Sequence, residues 1–361
     1  MGTPSFVADA PLSGVTPSQH LDAFLRLDPT DRYIFGTGLL ARALAGSVGA
    51  GAFLDDFRAG EVVDGLNVLA PEAASGRIVA NGVAGVHPLT AADRIREVGA
   101  TPVDFLRFVG AGLVPFPVIG DGFASEFHAH LGAYEAIYRR FADEESQATF
   151  AAIVNTRLHH DTEFMRDFTD RQDEQYFEPF LELRSPGGVF ADVGSFDGAT
   201  SRAFAQRFPE YRAIHVVEPS PRLMGAVREN LSDLKDVHFH EVGAGVEDET
   251  AAFASAGSAS RVVTDAADAE ERIRLRPLDR VLDPRPTFIK MDIEGHEVPA
   301  LVGARGIITS QRPVLAIACY HRHDDLRRIV EVVDGMSREY AVHLRHYTRG
   351  LTESVYFFVP R

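Results

Sequence analysis

Short apolar runs alternate with amphipathic stretches along most of the chain, and they fall into two series. In the longer series the runs lie at 189–193, 213–218, 237–242, 287–292, 313–319, 341–347 and 354–359. Each has the length of a strand and is bounded by glycine, proline or polar residues. The pattern predicts seven strands, with the last two as an antiparallel pair. The earlier series is shorter. Arg32–Phe35 runs into Gly36-Thr37-Gly38 and a helix from Leu39, Gly51–Leu54 ends in Asp55-Asp56, and Arg77–Ala80 precedes a helix over Ala91–Val98. Such alternation predicts the α/β class, with two modules in tandem. Between them the period becomes helical, with Phe127, Leu131, Tyr134, Ile137, Tyr138 and Phe141 recurring on one face. The expected organisation is a small Rossmann-like α/β domain over 1–120 with a loose Pro/Gly-rich leader, a helical connector over 121–185, and a second α/β domain over 186–361. Ser185-Pro186-Gly187-Gly188 marks the last boundary. Residues 247–268, rich in Ala, Ser, Gly and Asp, read as a loop or short irregular strands.

Composition narrows the function. A chain of 361 residues, 45% apolar and 24% charged, has core enough for two domains without disulfide or metal staples. Cys319 is the single cysteine, which excludes an intramolecular disulfide and a cysteine-cluster zinc site. The net charge of −16 argues against nucleic acid or an anionic membrane as partner. Met1–Pro17 lacks a secretory pattern, and no apolar run is long enough to span a membrane. The expectation is a cytoplasmic protein acting on a small molecule or sugar; whether it forms a homo-oligomer stays open.

Chemistry concentrates at the ends of the predicted strands. Val189–Val193 runs into Gly194-Ser195-Phe196-Asp197-Gly198, and Glu218 closes the next strand twenty-four residues after Gly194. The pattern is Asp-x-Gly-x-x-x-Gly rather than the Gly-x-Gly-x-x-Gly of dinucleotide sites. An acidic residue at the strand end repels phosphate and suits a cationic nucleoside such as S-adenosylmethionine (SAM), with Glu218 accepting from the ribose diol. Gly36-x-Gly38-x-x-Ala41, with Asp55 seventeen residues beyond Gly38, partly fits a dinucleotide fingerprint. It leaves two alternatives, an NAD(P)-dependent oxidoreductase or a module that keeps the shape without a ligand. Asp292, at the end of the predicted strand 287–292, opens onto the same sheet edge as Asp192 and Glu218, where clustered carboxylates suit a general base. Glu294 and Glu297 read equally as acids favourable at a helix N-terminus. His321 follows the next strand and can deprotonate a hydroxyl. Tyr176, Phe177 and Phe180 read as core or as a lid, and His346 and Glu353 as weaker candidates on the substrate side.

Val-Phe-Ala-Asp-Val-Gly-Ser-Phe-Asp-Gly at 189–198, Glu218-Pro219-Ser220, and above all Lys290-Met291-Asp292-Ile293-Glu294-Gly295-His296-Glu297 resemble the FkbM-type SAM-dependent methyltransferases, over about residues 186–361. The resemblance implies a class I methyltransferase fold, with a seven-stranded, mostly parallel sheet, and O-methylation of a sugar or natural-product hydroxyl. By motif position Asp192, Gly194 and Gly198 would contact the methionine part of the cofactor, with Ser195 and Phe196 in the same turn. Glu218 would hold the ribose, with Pro219 and Ser220 following. Asp292, Glu294 and His321 are the catalytic candidates. Many related O-methyltransferases need Mg²⁺ held by carboxylates. Asp292 and Glu294 are two such groups, and the sequence shows no clear third ligand.

Overall fold

The computed structural model describes residues 4–12, 17–115, 122–254, 261–263 and 271–361. The chain divides into two compact units, one of residues 1–138, 147–173 and 346–353, the other of residues 139–146, 174–345 and 354–361.

The second unit is built on a seven-stranded sheet. Across it the strands follow the order Tyr340–His346, Ser354–Pro360, Val314–Ala318, Phe288–Met291, Val189–Val193, Ala213–Val217 and Val237–His240. From Val314–Ala318 to Val237–His240 all neighbours are parallel, and Ser354–Pro360 is antiparallel to Val314–Ala318. Every residue of Val189–Val193, Ala213–Val217 and Val314–Ala318 is buried, as in strands covered on both faces, and this explains why they read as unbroken apolar runs. The strand order runs outward in both directions from the junction of Val189–Val193 with Phe288–Met291. Such a junction opens a crevice at the carboxyl ends of its strands. Beside it lies a four-stranded sheet in the order Gly243–Ala244, Glu271–Arg276, Glu249–Ala254, Arg261–Val263. The stretch 247–268, read as a loop or short irregular strands, contains the two strands Glu249–Ala254 and Arg261–Val263; residues 255–260 and 264–268 of it lie outside the described residues.

The first unit carries a six-stranded sheet in the order Val62–Val63, Leu66–Leu69, Ala52–Leu54, Tyr33–Phe35, Ile78–Asn81, Thr101–Val103. All pairs are parallel except Val62–Val63 with Leu66–Leu69. Phe24, Ile34, Phe53, Phe105 and Phe108 centre its core. Two expectations are corrected here. The helical segment does not form a separate connector, because residues 147–173 group with the first unit and 139–146 and 174–185 with the second. The leader is not loose over its described part. Phe6 is buried and stacks on Tyr138 at 4.6 Å, while the Ala8 N–H donates to Asn155 Oδ1 at 2.7 Å. Residues 1–3 and 13–16 of the leader lie outside the described residues. Among the described residues no helix is long and apolar enough to cross a membrane.

Candidate active site

Val189–Val193 hands over to the helix Ala199–Arg207 through a turn with three left-handed residues, Gly194 at φ +78°, Phe196 at +54° and Gly198 at +82°. Gly194 is required by space as well as by φ, since a Cβ there would collide with the Asp292 carbonyl oxygen. The ends of the two central strands are therefore in backbone contact. Asp192 lies behind this turn, fully buried. Its Oδ2 accepts from Ser201 Oγ at 2.7 Å and Ser195 Oγ at 3.1 Å, and its Oδ1 is 3.1 Å from Lys290 Nζ. Asp192 and Lys290 are register partners on adjacent strands. The Lys290 ammonium also donates to the Gly194 carbonyl at 2.5 Å. Burial works against its charge, but Asp192, and after it Asp292, outweigh burial and raise its pKa.

In front of the turn lies a cleft of about 580 Å³. Its apolar side is formed by Val217, Leu223, Phe253, Ile273 and Leu275, the last three from the small sheet. Glu218 stands at its edge, 5% exposed. One carboxylate oxygen accepts from the Ser220 N–H at 3.0 Å and the other from the Phe196 N–H at 3.3 Å. Each oxygen keeps a lone pair for a further donor. Burial pushes the Glu218 carboxyl up, against the pull of those two amides.

Asp292 and Glu294 also line the cleft, and they follow the strand on the other side of Val189–Val193 from the one that carries Glu218. Tyr176, at φ +73°, donates its hydroxyl to Asp292 Oδ2 at 2.7 Å. Asp292 Oδ1 is 3.4 Å, and Glu294 Oε1 3.6 Å, from His321 Nε2. On the far side of the ring, His321 Nδ1 lies 2.9 Å from Glu297 Oε1, which also accepts the Ile293 N–H at 2.9 Å. Burial lowers the His321 pKa, but Glu297, Asp292 and Glu294 together outweigh burial and raise it to about 10. Asp325, buried beside Glu297, is pushed up to about 7.

This arrangement has known relatives. Residues 191–347 match the family model of the methyltransferase FkbM domain. That stretch is an FkbM methyltransferase domain. The solved structure of a methyltransferase FkbM from Methylobacillus flagellatus KT matches 95% of this chain over 100% of its own length, at 25% identity and TM-score 0.74. Weaker likenesses include a precorrin-6y C5,15-methyltransferase from Geobacter metallireducens GS-15, at 16% identity and TM-score 0.31 over 48% of this chain and 80% of its own. Aeropyrum pernix fibrillarin, solved with natively bound S-adenosyl-L-methionine, gives 12% and 0.34 over 48% and 67%. No curated protein sequence matches the chain.

The FkbM domain gathers Gly194, Phe196, Glu218, Pro219, Asp292 and Glu294 around one cleft. Asp192, Ser195, Gly198 and Ser220 stand outside the lining and shape the turns that bear it. His346 is buried in the first unit against Phe168 and is not brought to the cleft. Glu353 also belongs to that unit. Sequence reasoning gave three members of the site no catalytic or cofactor-binding role. Lys290 was legible as a charge inside an apolar run. Glu297, a candidate helix-end acid, is buried and bonded to His321. Tyr176 separates from its aromatic neighbours, since Phe177 packs on Phe190 and Phe288, and Phe180 on Phe357. No periodic signal distinguishes it from them.

Proposed function

We propose that this domain transfers the methyl group of SAM to a hydroxyl of a small molecule or sugar precursor in the cytoplasm. The observation that carries the reading is the make-up of the cleft. An apolar wall suited to an adenine ends at a carboxylate with free lone pairs for a ribose diol, and further carboxylates follow the strand on the other side of Val189–Val193. The strand order of the sheet supports the class I methyltransferase arrangement. In the reaction the acceptor oxygen attacks the methyl carbon in line with the carbon–sulfur bond. The sulfonium leaves as the neutral thioether, and the hydroxyl proton passes to the Asp292–Glu294 end of the cleft. Holding the oxygen and the methyl carbon in line supplies much of the rate. His321, held protonated at neutral pH by its three carboxylates, is the poorer proton acceptor of the cluster.

Calorimetric titration with SAM tests the cofactor. Glu218→Ala should weaken binding about ten- to a hundredfold, the range for hydrogen bonds to a charged group. Unchanged affinity, or a melting shift with NAD(P)H in place of SAM, would sink the assignment. Incubation with methyl-labelled SAM and an extract of hydroxylated metabolites, read by mass spectrometry, identifies the acceptor.

A further inference from the structure

The Asp292–Glu294–His321 cluster has the construction of a metal site. Its three donor atoms lie within 4.8 Å of one another. The His321 side chain is only 5% exposed, and its Nε2 has no hydrogen-bond partner, although two carboxylates stand 3.4 and 3.6 Å away. Two of the donor groups are fixed from behind. Glu297 takes His321 Nδ1, and Tyr176 takes Asp292 Oδ2, so Nε2 and Oδ1 are turned toward the common centre. A histidine whose other nitrogen is held by a carboxylate is the usual support of a metal-binding imidazole. One imidazole and two carboxylates suit a divalent cation such as Mn²⁺.

We infer that Asp292, Glu294 and His321 bind one divalent cation at the acidic end of the cleft, with Glu297 and Tyr176 as positioning residues. The cation leaves coordination positions open toward the cleft, where the oxygens of a hydroxylated acceptor can enter. A cation there would take the place of the His321 Nε2 proton and would acidify an acceptor hydroxyl, whose proton would pass to solvent or to a carboxylate outside the ligand set before the methyl carbon is attacked. This role rests on the methyl-transfer reading; the binding of the cation does not. It also favours acceptors with two adjacent oxygens, which chelate.

The test uses the full chain, stripped with a chelator and titrated with Mn²⁺ while electron paramagnetic resonance reads the free ion. One Mn²⁺ should bind per chain. Glu294→Gln and His321→Ala should each weaken binding at least tenfold, and Glu297→Gln about ten- to a hundredfold through the orientation of the ring. Circular dichroism on each variant separates lost ligation from lost folding, and half-buried Glu294 is the substitution the fold tolerates best. Wild-type protein that binds no Mn²⁺, or binds it as well as folded Glu294→Gln and His321→Ala do, overturns the site. SAM titration of the same samples separates the two readings, because Mn²⁺ binding without SAM binding removes the methyl donor and leaves the cation site standing.

Discussion

Lys290 shows how a charge survives inside an apolar strand. Its ammonium is held by Asp192 on the neighbouring strand and by the Gly194 carbonyl, and it lies 5.4 Å from the centre of the Tyr176 ring. Replacing one member of such a pair leaves the other buried and unpaired. Lys290→Met should therefore cost about 3–5 kcal/mol in chemical denaturation. A loss below 1 kcal/mol would mean that Asp192 finds another partner. For His321→Ala the expected outcome is a fall in turnover of at least about tenfold with SAM affinity kept, because the Asp292–Glu294 end loses the imidazole that it is built around. Steady-state rates and calorimetry on one preparation check it, and near-normal turnover would remove the imidazole from the mechanism.

Elements were legible where burial wrote a continuous signal. All seven strands of the larger sheet sit within two residues of the apolar runs, because each run is set off by turn residues and most are covered on both faces. The hairpin of Val62–Val63 with Leu66–Leu69 was missed although Asp64-Gly65 between them, both at positive φ, is a strong hairpin signal. Its strands are too short for alternation to show. The small sheet beside the cleft was legible only as a choice between a loop and short irregular strands, since Glu249–Ala254 carries alanines rather than branched residues and gives the period little amplitude. The site was legible in its strand ends but not in its supports, because Tyr176 lies 116 positions from Asp292 and no local pattern links them. At the turn between elements, Gly194→Ala should cost at least about 1–2 kcal/mol for the left-handed backbone alone. The contact with the Asp292 carbonyl would displace the second strand end, so weaker SAM binding should accompany the lower denaturation midpoint. A variant with both properties of the wild type would contradict the close contact.

For the whole molecule, the unit boundaries were the least legible feature, because the chain crosses between units several times and no Pro/Gly-rich stretch marks the crossings at 138–147. Acid stability is set in both units. Burial lowers His240 to about 4 in one and His346 to about 3 in the other. Unfolded histidines titrate near ~6.5, so below that pH the unfolded chain takes up protons that the folded chain refuses. The stability these groups contribute is fully present above ~6.5 and is lost as pH falls toward 4. Melting temperature should drop from pH 6.5 to 5, a window above the usual carboxylate range, and the His240→Gln variant should show a shallower slope. An unchanged slope would assign the acid loss elsewhere. The chain contains no tryptophan, and Phe196 stands 41% exposed on the cleft lining in the turn after Val193. A Phe196→Trp substitution would thus place a single indole fluorophore at the cleft. Its emission would report each ligand's arrival and departure in real time, turning the cleft into its own optical sensor.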